Sequence, residues 1–221
     1  EKGVLSQIQT PFLLIFDQLD RVFKYPTVVQ DFLPLLRSCY ELSKSNQVWQ
    51  KIRLVLSYST EMYIPLHWSK SPFNVGLPIQ LSPFNLEQTL ELAKRYGFEE
   101  WRIDQAQQIL DFLNGHPYLL NVAFYHLSRG DLNLTHLLKQ AEDLNGIFRH
   151  HLQGYLAILK HNRALREAME QLLKTDQSLE LDAIAAYQLE GLGLITIQGH
   201  KSQISCTLYR QYFEQQLLGI A

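Results

Sequence analysis

Cysteine, methionine and net charge are all scarce in this chain: two Cys and two Met in 221 residues, with a formal charge of −2. Two thiols, Cys39 and Cys206, both among apolar neighbours, cannot form a disulfide framework. They read as small buried hydrophobes of a reducing compartment, and the expected location is the cytoplasm. A charge near zero excludes a whole-chain field that would draw in nucleic acid or acidic lipid. No apolar run approaches the roughly 20 residues of a membrane-spanning helix. No basic segment followed by an apolar one marks a secretory leader, and there is no internal repeat or low-complexity tract. The chain opens at Glu1, without a methionine, almost directly on a strand-like run, so it is expected to be cut from a longer protein.

What is present is apolar patterning, at 46% hydrophobic residues. Pro11-Phe-Leu-Leu-Ile-Phe-Asp17 is a continuous apolar run ending in an acid, the pattern of a strand buried on both faces of a parallel sheet. From Val28 to Leu42 apolar positions recur at helical spacing, and Pro34 is expected near the first turns or at a bend. Ile52–Ser57 reads as a second buried strand, and Leu77–Leu81 as a short third one. Strand, helix, strand in that order implies parallel crossovers.

From Asn85 the pattern becomes helical. Asn85 with Gln88 forms a capping box, and Gly97 stops the helix. Further helices are expected over 104–112, stopped at Asn114-Gly115, from Pro117 to about Leu127, and over 134–141. The last third predicts helices at 146–161, 163–173 and 181–189. Two alternating segments, 192–198 and 203–208, follow around the turn Gly199–Ser202, and a closing helix spans 209–218. Three helices and then a hairpin is the order of a winged helix.

Phe12-Leu-Leu-Ile-Phe-Asp17-Gln18-Leu19-Asp20 is the strongest chemical candidate. An acid at the tip of a parallel strand lies at the carboxyl edge of the sheet, where ligands of such folds bind. A turn that happens to contain aspartate has the same pattern. Together with DFLPLLRSCYE, IRLVLSYST, SPFNVGLPIQLSPFN and LNGHPYLLNVAFYHL, this block resembles the AAA-like, STAND-class P-loop NTPase domain of cyanobacterial signalling proteins. The resemblance covers roughly residues 11 to 145.

That resemblance implies a fold of α/β plus all-α class. It would hold the C-terminal part of a P-loop NTPase-type core with a partial parallel sheet (1–84) and a helical lid bundle (85–145), and the element order of the last third adds a winged helix-like domain (146–221). It also implies that Asp17 is the Walker B ligand of Mg²⁺, with Asp20 close by. Ser57, Ser59 and Thr60 would supply the polar sensor of the γ-phosphate, and Gly115 and Pro117 the signature whose proline abuts adenine. Gln18 stands where many relatives carry a catalytic glutamate, so no catalytic residue is expected. By local physics alone, Gly115-His116-Pro117 reads first as a helix stop followed by a helix start.

One departure outweighs these matches: nothing resembles Gly-x-x-x-x-Gly-Lys-Ser/Thr, the backbone cradle and lysine that hold phosphates. ATP and Mg²⁺ are therefore expected only in a longer parent protein, and the isolated chain is expected neither to bind them usefully nor to act as an enzyme. The implied role is a nucleotide-state relay and interaction module. Its partners would be effector or sensor domains of the parent, with homodimerisation through an open sheet edge as a further option. A second reading, a degenerate NTPase serving as scaffold, stays open.

The rival is DNA binding through the winged helix, with His200, Lys201 and Arg210 as contacts. After Gly146 seven basic residues face seven acids, and the recognition segment 181–189 contains no Lys or Arg. Phosphate neutralisation dominates DNA affinity, so nucleic acid is disfavoured. A metal site is disfavoured too. His150 and His151 point about 100° apart on a helix, and His116 and His126, the other candidate neighbours, lack ligands at metal spacing. The histidines read as solvated or partner-contacting.

Overall fold

Branched and aromatic side chains suit an extended pleat, and β1 (Phe12–Phe16) and β2 (Ile52–Leu56) form a parallel pair, Phe12 opposite Ile52 and Phe16 opposite Leu56. A parallel pair requires a crossover. Here it runs through a 3-10 helix, Leu19–Lys24, and the helix α2 (Pro26–Ser45), while the short α1 (Val4–Gln7) precedes β1. The computed structural model describes residues 3–58, 71–140 and 146–219. The chain divides into two units, Glu1–Gln80 and Leu81–Ala221.

The core of the first unit is small. Val29, Leu33 and Leu36, one stripe of α2, are buried with Leu19 and Phe23, and Phe16, Phe32, Leu56 and Phe73 pack against them. Pro34 lies inside α2 rather than in its first turns.

Two expectations for this unit fail. β1 is not buried on both faces: Leu13 and Ile15 are each 56% exposed and Val55 46%. Phe16 and Leu56 pack against the α2 cluster, while Leu14, between Phe12 and Phe16, is still 38% exposed. Nor is Leu77–Leu81 a strand, because no described strand pairs with it and Pro78 brings no N–H to a ladder. Leu77, Ile79 and Leu81 stand 83%, 77% and 87% exposed.

The second unit is built of helices with local stops and starts. Helix α3 (Leu86–Arg95) begins with the Asn85–Gln88 capping box, complete in both directions. Helix α4 (Ile103–Leu113) ends at Asn114 and Gly115, both with positive φ (49° and 67°). Helix α5 (Pro117–Ser128) starts on its proline, and α6 (Leu134–Gln140) follows. Then come α7 (Arg149–His161), α8 (Arg163–Leu173) and α9 (Ala183–Gly191). Asp182 caps α9, accepting from the N–H groups of Ile184 and Ala185.

The hairpin is β3 (Ile195–Gln198) and β4 (Lys201–Ile204), antiparallel with Gln198 opposite Lys201. Leu179, before α9, bonds to Ser202 of β4 in both directions at 3.0 and 2.7 Å. Helix α10 (Thr207–Phe213) closes the chain and runs into a π-helical turn, Glu214–Leu218.

Several boundaries therefore shift. The turn of the hairpin is the two-residue Gly199-His200, because Gly199 takes φ 65° and lets Lys201 join the ladder. Residues 146–148 form a turn before α7, and the closing helix starts at Thr207. One continuous core runs from Ala93 to Phe213, with Phe124, Phe148, Tyr209, Tyr212 and Phe213 almost fully buried.

Candidate functional site

Asp17 follows β1 at its carboxyl end and is exposed there. Ser57 follows the neighbouring β2, and the ladder continues past both strands. The Ser57 N–H donates to Phe16 O at 2.9 Å, and the Leu19 N–H donates to Ser57 O at 2.9 Å. This double clamp holds the two tips side by side. The Ser57 hydroxyl donates to Asp17 Oδ1 at 2.9 Å, and the Gln18 N–H donates to the same oxygen at 3.0 Å. Gln18 reaches that position in the left-handed region, φ 55°. No described donor reaches Asp17 Oδ2.

Asp20, half-buried, lies in the first turn of the 3-10 helix. Ser59 and Thr60 lie outside the described residues. Behind the tip, Tyr58 meets the edge of Phe73 at 4.8 Å, and Phe73 meets Phe23 at 6.1 Å. Arg37 of α2 ties this segment down, donating to Ser71 O at 3.2 Å and to the Asn74 side chain. Phe73, given no role on sequence, thus lies against Tyr58, the residue after Ser57, and Asn74 accepts from Arg37.

A magnesium ion fits a carboxylate oxygen and a hydroxyl, since it keeps several waters and takes further oxygens from substrate phosphates. The tip offers those two donor types. No cluster of three or more His, Cys, Asp or Glu able to hold a metal occurs among the described residues.

Gly115 and Pro117 belong to the second unit. Gly115 O accepts from the Phe84 N–H at 2.8 Å, and a Cβ at Gly115 would sit 2.1 Å from Phe84 O. Glycine is required there by space as well as by φ. His116, between them, does not neighbour His126, whose Nδ1 pairs with Asp131 Oδ2 at 3.0 Å. Its neighbour is His151, at 5.4 Å between ring centroids. Nor is His151 fully solvated, since it is half-buried. Its Nε2 lies 2.6 Å from the Tyr209 hydroxyl, and Tyr118 and Tyr155 also touch its ring. Burial holds both imidazoles below their ordinary range, His151 down to about 4, with repulsion from His116 adding to it. Burial pushes the Tyr155 and Tyr209 phenols up. Sequence spacing carried no signal of this group, since Tyr209 and His151 stand 58 positions apart.

His200 occupies the hairpin turn and Lys201 is exposed on β4. Arg210 is three-quarters covered and faces Glu214 at 3.3 Å and Asp176 at 3.6 Å, so two carboxylates hold its charge. The outer face of α9 shows Ile184 (57% exposed) and Tyr187 (44%) rather than cations. Cys206 is buried, its thiol pushed up to about 12 by desolvation, and Cys39 is half-buried.

A mixed α/β chain with an acid and a serine at adjacent parallel strand tips is the class that fold and site define. The chain belongs to the AAA-like domain family, whose model matches residues 1–215. It is 26% identical over 140 residues to an uncharacterised WD repeat-containing protein of Synechocystis sp.. That match covers 60% of this chain and 12% of the relative, so the chain spans a small part of that protein's length. No solved structure matches the chain. No described helix is long and apolar enough to cross a membrane.

Proposed function

We propose that this chain is a regulatory module of a STAND-type signalling NTPase, a nucleotide-state relay rather than a self-sufficient enzyme. The observation that carries it is the Ser57–Asp17 hydrogen bond at the carboxyl ends of paired parallel strands. In this reading Asp17 is the Walker B acid. Its Oδ1 is oriented by Ser57 and by the Gln18 N–H, and Oδ2 is left for a cation. Bound Mg²⁺ would neutralise charge on the nucleotide phosphates.

Gln18 is exposed beside Asp17 and cannot take a proton from water as a carboxylate does, so the module signals occupancy rather than driving turnover. With no phosphate-binding glycine loop in the sequence, the tip acts only where a longer protein supplies one. Gly115-His116-Pro117, at a helix start, is the second contact proposed for the nucleotide. The order α7, α8, Leu179 bridge, α9, hairpin supports a winged helix-like end. The apolar outer face of α9 suits a protein contact, so the module would relay its state to effector or sensor domains.

The test is Mg-ATP binding to the longer native protein with Asp17→Asn. Affinity is expected to fall tenfold or more, about 1.4 kcal/mol, and to lose its dependence on Mg²⁺. Unchanged Mg-dependent binding refutes the assignment.

A further inference from the structure

The second unit gathers two imidazoles, and no described carboxylate pairs with either. His116 is the N-cap of α5, and His151 lies in the first turn of α7. Both therefore sit at the positive end of a helix, where added positive charge is unfavourable. The His151 ring lies roughly parallel to Tyr118 (5.2 Å) and Tyr209 (5.8 Å), with Tyr155 and His116 edge-on at 4.7 and 5.4 Å. Nδ1 of His116 is buried with no hydrogen-bond partner. The sequences of α5, α7 and α10 contain no aspartate or glutamate, and their cations are Arg149, Lys160 and Arg210, with further histidines at 126, 150 and 161.

The described acids on the surrounding elements are paired elsewhere or stand in solvent. On α4, Asp111 accepts from Gln107 and Asp104 from Arg102. On α8, Glu167 and Glu170 pair with Arg163 and Arg166, and on α3 Glu91 pairs with Arg95. Glu87 is exposed in the first turn of α3, and Glu190 of α9 accepts from the Ile197 N–H. Glu214 and Asp176 face Arg210, and Asp131 faces His126.

We propose that His116 and His151 form an acid-operated latch: while both are neutral they lock the first turns of α5 and α7 onto α10. A proton on either ring releases α10 and loosens the Gly115–Pro117 turn. The chemistry is proton uptake alone, and the latch stands whether or not the nucleotide reading holds.

The sign follows from the lowered imidazole affinity in the closed form. Closure is fully present above the ordinary histidine range and weakens as pH falls from about 6.5 towards 4. His151 alone would shift the closed–open balance about thirtyfold by pH 5 if it were fully screened from solvent. It is partly exposed, so about tenfold is expected.

The test is hydrogen exchange of the peptide covering 207–213, corrected for intrinsic rates, between pH 7.5 and pH 5. Protection is expected to fall about tenfold in the wild-type chain, and His151→Gln, which cannot be protonated, should remove most of that fall. An equal fall in His151→Gln, or none in the wild type, overturns the proposal. Should the variant not fold, histidine NMR titration of the wild-type chain decides. Two of the eight histidines must stay neutral well below pH 6 until α10 opens, and ordinary titration of all eight rejects the latch.

Discussion

Gly115→Ala isolates a steric requirement from a conformational one. Gly115 has φ 67°, so any L-residue there incurs left-handed strain of about 1–2 kcal/mol. Its added Cβ would also lie 2.1 Å from Phe84 O, backbone that cannot swing away as a side-chain tip can. Relief requires the Phe84 segment to retreat. That gives up the 2.8 Å bond from the Phe84 N–H, about 1 kcal/mol, and disturbs Phe84 where it packs on the core, about 1–3 kcal/mol.

The sum is about 3–6 kcal/mol. Gly97→Ala is the control, because Gly97 has φ 88° but open space where its Cβ would point; its cost is strain alone, about 1–2 kcal/mol. In a chain of this size each kcal/mol moves Tm by about 2–4 °C. Thermal melting followed by circular dichroism should then show a fall of about 10 °C for Gly115→Ala and about 4 °C for Gly97→Ala. Equal falls would show that the approach of Phe84 to Gly115 is not a constraint on this turn.

Asn85→Ala removes one half of a complete capping box and leaves the Gln88 N–H without its acceptor. Urea denaturation should record a loss of about 1 kcal/mol, which Asn85→Ser largely restores. Cys206, buried with its thiol pushed up to about 12, should resist a thiol reagent at pH 8 until the chain unfolds. The half-buried Cys39 should react first, and equal rates for the two would contradict the packing around Cys206.

Features set by neighbours in sequence were legible before the fold was known. The Asn85–Gln88 box, the stop at Asn114-Gly115 and the start at Pro117 all depend on atoms within a few residues, and the structure places each as the sequence implied. Asp17 was legible as the end of an apolar strand, and the parallel pairing with β2 followed from the crossover. Failures occurred where the deciding partner is remote. Leu77-Pro-Ile-Gln-Leu81 has strand-like residues, but a strand exists only when another backbone accepts its hydrogen bonds, and no described strand does so here. The apolar content of β1 predicted two covered faces, whereas cover is supplied by other elements, and Leu13, Leu14 and Ile15 stay exposed. On sequence, His116 and His126 were candidate neighbours. Helix packing instead brings His116 to α7, while His126 turns to Asp131 five residues on.

The same contrast locates where a change at the histidine pair would be felt. His116 is joined directly to Gly115, and Gly115 has no freedom towards Phe84: its carbonyl holds the Phe84 N–H and its α-carbon leaves no room for a methyl group. On the other side Pro117 begins α5 with φ fixed by its ring. A displacement of His116 therefore cannot be absorbed locally by either neighbour. It must travel through the Gly115 carbonyl to Phe84, one residue before the cap of α3. The Phe84 amide should accordingly lose protection together with α10 as pH falls, whereas the Gln88 amide, held by Asn85 within α3's own capping box, should not. Loss at Gln88 without loss at Phe84 would mean that the turn yields elsewhere, and that His116 is only a neighbour of the switch.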